Sequence, residues 1–496
     1  MRIKVKISFF GFLLFLFAGC AHQERDKNVT NEQETDFNES HRPQFHFTYK
    51  KGWLSDLNGL LFYKGEYHLF TQHCPGGPGL NYPNTHWGHA VSRDLVHWEE
   101  FAPAIAPDSL GPIFSGSAVV DWNNSAGLQE GEEKTLVAFY TGAGYILDTN
   151  KDGVICMAYS NDKGRTWKKY AGNPVQKAIT HLNRDPKVFW HEKTGKWIMA
   201  ITLSCENFFD GDYRFAFFSS QDLKSWTEVS RFDMPRGLDC PDMFELPVEE
   251  TNEKWVFTSG DGTYAVGNFD GKTFSPVQDI VLPFADWNED GGNGYAAQVF
   301  NDIPASDGRT IQIAWFSRGK YPDMPFNQQT TIPVSLTLRR IGDHIKLCRY
   351  PVKEIDGLHG NLLLESRSDT ITKDNMLKNV SGELFDIQAE IVPGKYGVVE
   401  FGIRKTKIVY DPSRKILTCN GKSIPAASSD GLLRLRLLID RTSLEIFADN
   451  GSSSLTFYLP PEEIESPLKL YTPGEPAIIK SLNVWEMKSM YNGNKK

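Results

Sequence analysis

The sequence predicts an all-β protein: a five-bladed β-propeller over 41–345, followed by a C-terminal β-sandwich over 346–490. Three observations lead there. From about His46 the chain runs in short alternating or aromatic-rich segments, among them 66–70, 135–140, 196–201 and 254–258, separated by Gly, Asn and Asp turns. A degenerate unit recurs as Ser92-Arg93-Asp94-Leu95-Val96-His97-Trp98, then at 160–167, 220–226 and more faintly 268–274. Each copy follows a hydrophobic strand and carries an acidic turn that delivers an aromatic. A repeat of roughly fifty to seventy residues is the scale of propeller blades, which need neighbours to bury their faces. Four copies plus the N-terminal hairpins give five blades. Third, strong strand patterns at 432–439, 443–448 and 454–459, with Asp449-Asn450-Gly451 as a turn, read as a sandwich after a polar stretch at 353–369.

With 496 residues the chain has room for two domains. Its net charge of -9 and the lack of a Lys/Arg cluster in its body exclude nucleic acid as partner. Residues 1–19 are a secretory signal: Arg2, Lys4 and Lys6 precede an apolar run at 7–18 that is too short to span a bilayer. The run ends in Phe17-Ala18-Gly19-Cys20, similar to a bacterial lipobox. Cys20 is therefore expected to carry lipid and hold the protein on a membrane, at the outer membrane or cell surface of a bacterium. Residues 21–40 are polar and acidic, the composition of a flexible tether. The other cysteines (Cys74, Cys156, Cys205, Cys240, Cys348, Cys419) show no CxxC pair and no His/Cys metal spacing. No structural metal is expected, and disulfide pairing stays open.

Three acids open strands in different blades. Asp56 lies in Trp53-Leu54-Ser55-Asp56-Leu57-Asn58-Gly59, expected as a polar turn between an aromatic run and a strand. Asp185 follows Arg184 and precedes Pro186, which fixes the backbone. Asp239 begins Asp239-Cys240-Pro241-Asp242. In a propeller such positions converge on the axial funnel. Carboxylates beside an arginine and tryptophans suit a sugar, and two acids about 5 Å apart would serve a retaining glycosidase.

In this order and spacing the motifs resemble glycoside hydrolase family 32, the invertase, inulinase and levanase group, from about Phe45 to Trp485. The segment 53–59 is similar to the family's Trp-Met-Asn-Asp-Pro-Asn-Gly. Gln72-His73, 86–92, Phe114-Ser115-Gly116-Ser117, Arg184-Asp185-Pro186, Tyr295-Ala296-Ala297-Gln298, Ala314-Trp315, 324–329 and 440–447 follow in family order. The resemblance implies a propeller and sandwich, no cofactor, and hydrolysis of fructan (levan or inulin) or sucrose with retention. It makes Asp56 the nucleophile and Asp239 the acid/base. Asp185 with Arg184 would favour the oxocarbenium-like transition state. Trp53, Ser55, Gln72, Phe114, Ser115 and Trp315 would bind fructose.

Departures accompany the matches. Ser55 and Leu57 replace Asn and Pro, Tyr82 lies near an expected Trp, and Leu238 replaces another. Asp239 stands where the family has Glu, one methylene or about 1.5 Å shorter. Two other readings therefore stand beside the fructosidase: a fructan-binding protein with weakened or lost catalysis, and a related five-bladed glycosidase acting on arabinan or xylan.

Overall fold

The computed structural model describes residues 37–203, 214–234, 239–248, 252–282, 294–426, 430–461 and 467–493. The signal, Cys20, most of the expected tether, Cys205 and Leu238 lie outside the described residues. Among those described, helical structure is limited to short 3-10 turns such as Lys353–Leu358.

Five four-stranded antiparallel blades follow in chain order. The first is Gly52–Tyr63, Glu66–Cys74, His86–Ser92 and Trp98–Ile105. The next three begin with the inner strands Ile113–Asp121, Arg184–His191 and Asp242–Val248. The fifth is Tyr295–Val299, Thr310–Phe316, Val334–Ile341 and His344–Pro351. It pairs in parallel with the fourth at Val248 and Leu338, and the short strand Phe326–Asn327, ahead of its third strand, pairs with Gly52 and Trp53 of the first. The boundary expected after residue 345 is corrected: His344–Pro351 pairs along its whole length with Val334–Ile341.

The recurring acidic turn links the third and fourth strands of the first four blades. Asp94 Oδ1 accepts from the backbone N–H of Val96 and His97; Asp222 Oδ1 does so from Lys224 and Ser225, and Asp270 Oδ1 from Lys272 and Thr273. Asp162 Oδ1 takes the N–H of Thr166. The residue after each Asp is left-handed: Leu95, Lys163, Leu223 and Gly271 have φ of 65, 58, 60 and 87°. The carboxylate satisfies turn N–H groups that would otherwise go unpaired, which is why the Asp recurs while its neighbours drift.

Below the strand starts, polar side chains bind the inner strands across the axis. Gln298 Nε2 donates to the Gly116 carbonyl at 3.0 Å, and Ser117 Oγ to that of Pro186 at 2.8 Å. Lys187 and Asp242, both buried, pair at 2.8 Å. Asn301 Nδ2 donates to the carbonyls of Ala118 and Val188 at 2.8 and 3.1 Å. Among the described residues these bonds fill the axis with satisfied polar groups.

The second region is a sandwich with its own apolar core, including Ile387, Phe401, Leu437, Ile446 and Leu482. One sheet runs from His359–Ser366 through Ala477–Met487, Phe385–Val392, Leu433–Ile439 and Ser443–Ala448 to Ser453–Tyr458; the other contains Val399–Ile403 and Thr406–Asp411. Part of the stretch expected as a polar connection is thus the strand His359–Ser366, paired with Ala477–Met487. The tether also ends earlier than expected. Phe37 stacks on Tyr491 at 4.4 Å and Glu39 pairs with the buried Arg42. His46 then bonds Asp440 through Nδ1 and Glu445 through Nε2, each at 2.7 Å. Burial opposes its charge, but the two carboxylates raise its pKa from 6.5 to about 9.

Candidate active site

Local irregularities aim the functional side chains. In the first blade Leu54 pairs with His73 and Leu57 with Thr71, so Ser55 and Asp56 face Gln72 alone. This is a β-bulge within a continuous strand, not the expected turn, and it redirects Asp56 toward the axis. Asn58 supports it from below, donating from Nδ2 to the Asp56 carbonyl at 3.0 Å and accepting the Gly116 N–H at 3.0 Å. In the second blade the bulge falls on Ser115. Gly116 is required beside it, since a Cβ there would lie 1.9 Å from the Phe139 carbonyl oxygen. Asp185, Cys240 and Ala296, near the starts of the next three inner strands, hold φ of 61, 49 and 49°. Left-handed backbone costs non-glycine residues about 1–2 kcal/mol each.

The three acids meet. Asp56 Oδ2 accepts from Ser115 Oγ at 2.7 Å and Gln72 Nε2 at 3.2 Å. Asp185 Oδ2 accepts the Cys240 N–H at 3.1 Å and lies 3.4 Å from Arg184 Nε. The Cys240 thiol sits 3.7 Å from both carboxylates. Asp239 takes Arg184 Nη2 at 3.2 Å on one oxygen and the Tyr295 hydroxyl on the other. Its carbonyl accepts the Gly260 N–H at 2.7 Å.

Burial pushes the Asp56 carboxyl up to about 6, with the Asp239 charge adding and the Ser115 and Cys240 bonds opposing. Burial also raises Asp185; Arg184 opposes, while Asp239 and Asp56 add. The Cys240 thiol and Tyr295 hydroxyl are pushed well above their usual values by burial and then by neighbouring carboxylates. Both therefore stay protonated and donate. Oxygens of Asp185 and Asp239 lie within 4.8 Å of each other and of Cys240 Sγ, a spacing that could hold a cation. Arg184 already supplies positive charge to both.

These groups floor a cavity of about 230 Å³. Of the residues expected to bind fructose, Trp53, Ser55, Gln72, Phe114, Arg184 and Trp315 line it. Ser115 is buried beneath Asp56 and acts on that carboxylate. Tyr82, in the altered loop, lies at the mouth 6.0 Å from the Phe114 ring. Three residues carried no expected role. Tyr295 and Cys240 lie inside recognised motifs. Tyr145 also lines the cavity, from a short helical turn with no sequence signal.

The family models described as Glycosyl hydrolases family 32 N-terminal domain and Glycosyl hydrolases family 32 C terminal match residues 46–351 and 359–486. The chain belongs to glycosyl hydrolase family 32. It is therefore a glycoside hydrolase, as the converging carboxylates suggest. A levanase of Bacillus subtilis (strain 168) is 36% identical over 92% of this family 32 chain and 72% of its own. The crystal structure of the exo-inulinase from Aspergillus awamori superimposes with a TM-score of 0.81, at 27% identity, over 92% of this chain and 99% of that one. The β-fructofuranosidase from Schwanniomyces occidentalis, complexed with fructosyl-erythritol, gives 0.78 at 27% identity over 92% and 100%.

Proposed function

We propose that this family 32 enzyme hydrolyses β-fructofuranosidic bonds in levan, inulin or sucrose, with retention and through a covalent fructosyl intermediate. The carrying observation is that Asp56 and Asp239, from different blades, line one small funnel with Asp185 and Arg184 between them. The Asp56 carboxylate attacks the anomeric carbon while Asp239, as the acid, delivers a proton to the departing oxygen. Asp239 then takes a proton from water, whose oxygen attacks the fructosyl carbon and frees Asp56. Asp185 and Arg184 bind sugar hydroxyls, and their fixed charges act most strongly as the ring becomes cationic. Trp53, Phe114 and Trp315 give apolar faces to the ring, and Ser55 and Gln72 polar ones.

Fructan binding without turnover is not favoured. Asp239 keeps an arginine and a tyrosine as partners despite being shorter than the family's glutamate. Incubating the protein with levan, inulin and sucrose separately and resolving the products tests the reading. Fructose alone from a polymer marks exo action and an oligosaccharide ladder endo action. Asp56→Ala should lose activity by on the order of 10⁴-fold or more; unchanged release would remove Asp56 as nucleophile.

We further propose that Cys20 carries the lipid that holds the enzyme at the bacterial envelope, on the support of the 17–20 motif and the basic-apolar leader. Cys20→Ser should move the protein to the soluble fraction. Its continued sedimentation with membranes would refute this.

A further inference from the structure

The propeller's opposite end carries a second cavity, of about 500 Å³, lined by Trp122, Trp190, Trp197, Glu192, Asn123 and Asp302 with their apolar neighbours. That volume lies within the usual small-molecule range of roughly 300–1,000 Å³. Its position follows from the strands. Ser115 is near the start of Ile113–Asp121, whereas Trp122 immediately follows that strand's end. Seven residues of extended chain separate them by roughly 20 Å. The buried Lys187–Asp242 pair lies between, and the two cavities share no lining residue.

The lower cavity is built rather than residual. Trp122 is 48% exposed, yet its ring is fixed because Nε1 donates to Asp302 Oδ1 at 2.8 Å. Asp302 is itself anchored, since its other oxygen accepts the Val120 N–H at 2.8 Å. Trp190 Nε1 donates to Glu192 Oε2 at 2.7 Å, and its ring meets that of Trp197 edge-on at 5.1 Å. Single exposed apolar residues need no explanation, but the exposed Trp122 and half-buried Trp190 on one concavity, each held through its N–H by a carboxylate and backed by the buried Trp197, are a different arrangement.

The lining chemistry selects the ligand. Among the described residues no lysine or arginine lines the cavity, and two carboxylates do, which disfavours an anion. Indole faces stack on the C–H faces of sugar rings, and carboxylate and amide oxygens accept hydroxyl hydrogens. We propose that this cavity is a non-catalytic binding site for a neutral polysaccharide segment, a stretch of the same fructan that the upper funnel cleaves. The fructan identity rests on the function proposed above. A chain gripped here stays close to the enzyme between cleavages, raising its local concentration at the funnel without adding any contact there.

The test uses the full-length protein in detergent, migrating through native gels that contain levan or inulin. Turnover is stopped with Asp56→Ala so that the polymer persists. Adding Trp122→Ala should weaken polymer retention roughly five- to tenfold, the scale of losing one aromatic anchor. Trp122→Phe, which keeps a stacking face, should retain most of it. In the active background Trp122→Ala should leave sucrose turnover unchanged. Equal retention of the Asp56→Ala protein with and without Trp122 overturns the proposal. So does a Trp122-dependent change in sedimentation without a change in retention, which would mark the cavity as a protein contact. If the wild type cleaves no fructan yet binds it through Trp122, the proposed function fails and the site stands. If it cleaves fructan with Trp122-independent retention, only the site fails.

Discussion

Asp239→Glu tests whether the funnel has been shaped around the shorter acid. The substitution adds one methylene, about 1.5 Å of reach. The present carboxylate has both oxygens engaged, by Arg184 Nη2 at 3.2 Å and by the Tyr295 hydroxyl. Its backbone is tied to the Gly260 N–H at 2.7 Å, and Gly260 packs so closely that a Cβ there would be 3.2 Å from Oδ1. A longer side chain has no room to retract. It must advance into a cavity of about 230 Å³ or give up Arg184 and Tyr295. A misplacement of about 1 Å at a reacting group costs on the order of 100-fold. The expected result is therefore a fall in kcat of roughly 10- to 100-fold, with the melting temperature little changed. Initial rates of fructose release from sucrose and from a fructan, at saturating substrate, measure it. An equal or higher kcat would refute the reasoning, because the shorter acid would then have been limiting the rate.

Two pH dependences follow. Asp56 must be ionised to attack, so kcat/KM should fall below about pH 6. Ser115→Ala removes a bond that favours the carboxylate and should move that acid limb up by about one pH unit; an unmoved limb would mean another group controls it. The His46 imidazolium gains two carboxylates on folding, raising its pKa from 6.5 to about 9. Its stabilisation is complete below about pH 6.5 and is lost as the pH climbs through 9, by up to roughly 3 kcal/mol. Urea midpoints between pH 6 and 10 should show the loss, and His46→Gln should flatten it. Identical curves for the two proteins would remove His46 as the cause.

What could be read from the sequence was whatever depends on local chemistry. The Asp-turn-aromatic unit was visible because each copy solves the same backbone problem, the unpaired N–H groups of a left-handed turn after Asp94, Asp162, Asp222 and Asp270. Asp56, Asp185 and Asp239 stood out because an acid at a strand start is conspicuous. Relations across the fold were harder. Nothing near residue 145 in sequence indicates that Tyr145 reaches the funnel, because its neighbours there come from all five blades. The bulge at Asp56 looked like a turn, since Asn58 and Gly59 are turn formers. The long pairing with Glu66–Cys74 overrides that local preference. Ser115 could be placed at the site but not given its task, which depends on Asp56 arriving 59 residues away.

The same geometry constrains how substrate must come and go. At the level of the acids the inner strands are irregular, with bulges at Asp56 and Ser115 and left-handed residues at Asp185, Cys240 and Ala296. Strain of that kind persists only where the surroundings over-determine it. Here the constraint lies just below, where Gln298, Ser117, Lys187 and Asn301 tie the inner strands together. Those bonds that hold the upper residues in place also close the axis beneath them. Among the described residues the funnel is consequently blind at its lower end. A fructan does not pass along the axis beneath the acids, and among the described residues the exposed Leu80 and Tyr82 stand where the cavity meets solvent. Substitutions at Tyr82 should therefore act on exchange of substrate and leaving group at the mouth, leaving the acids below it undisturbed.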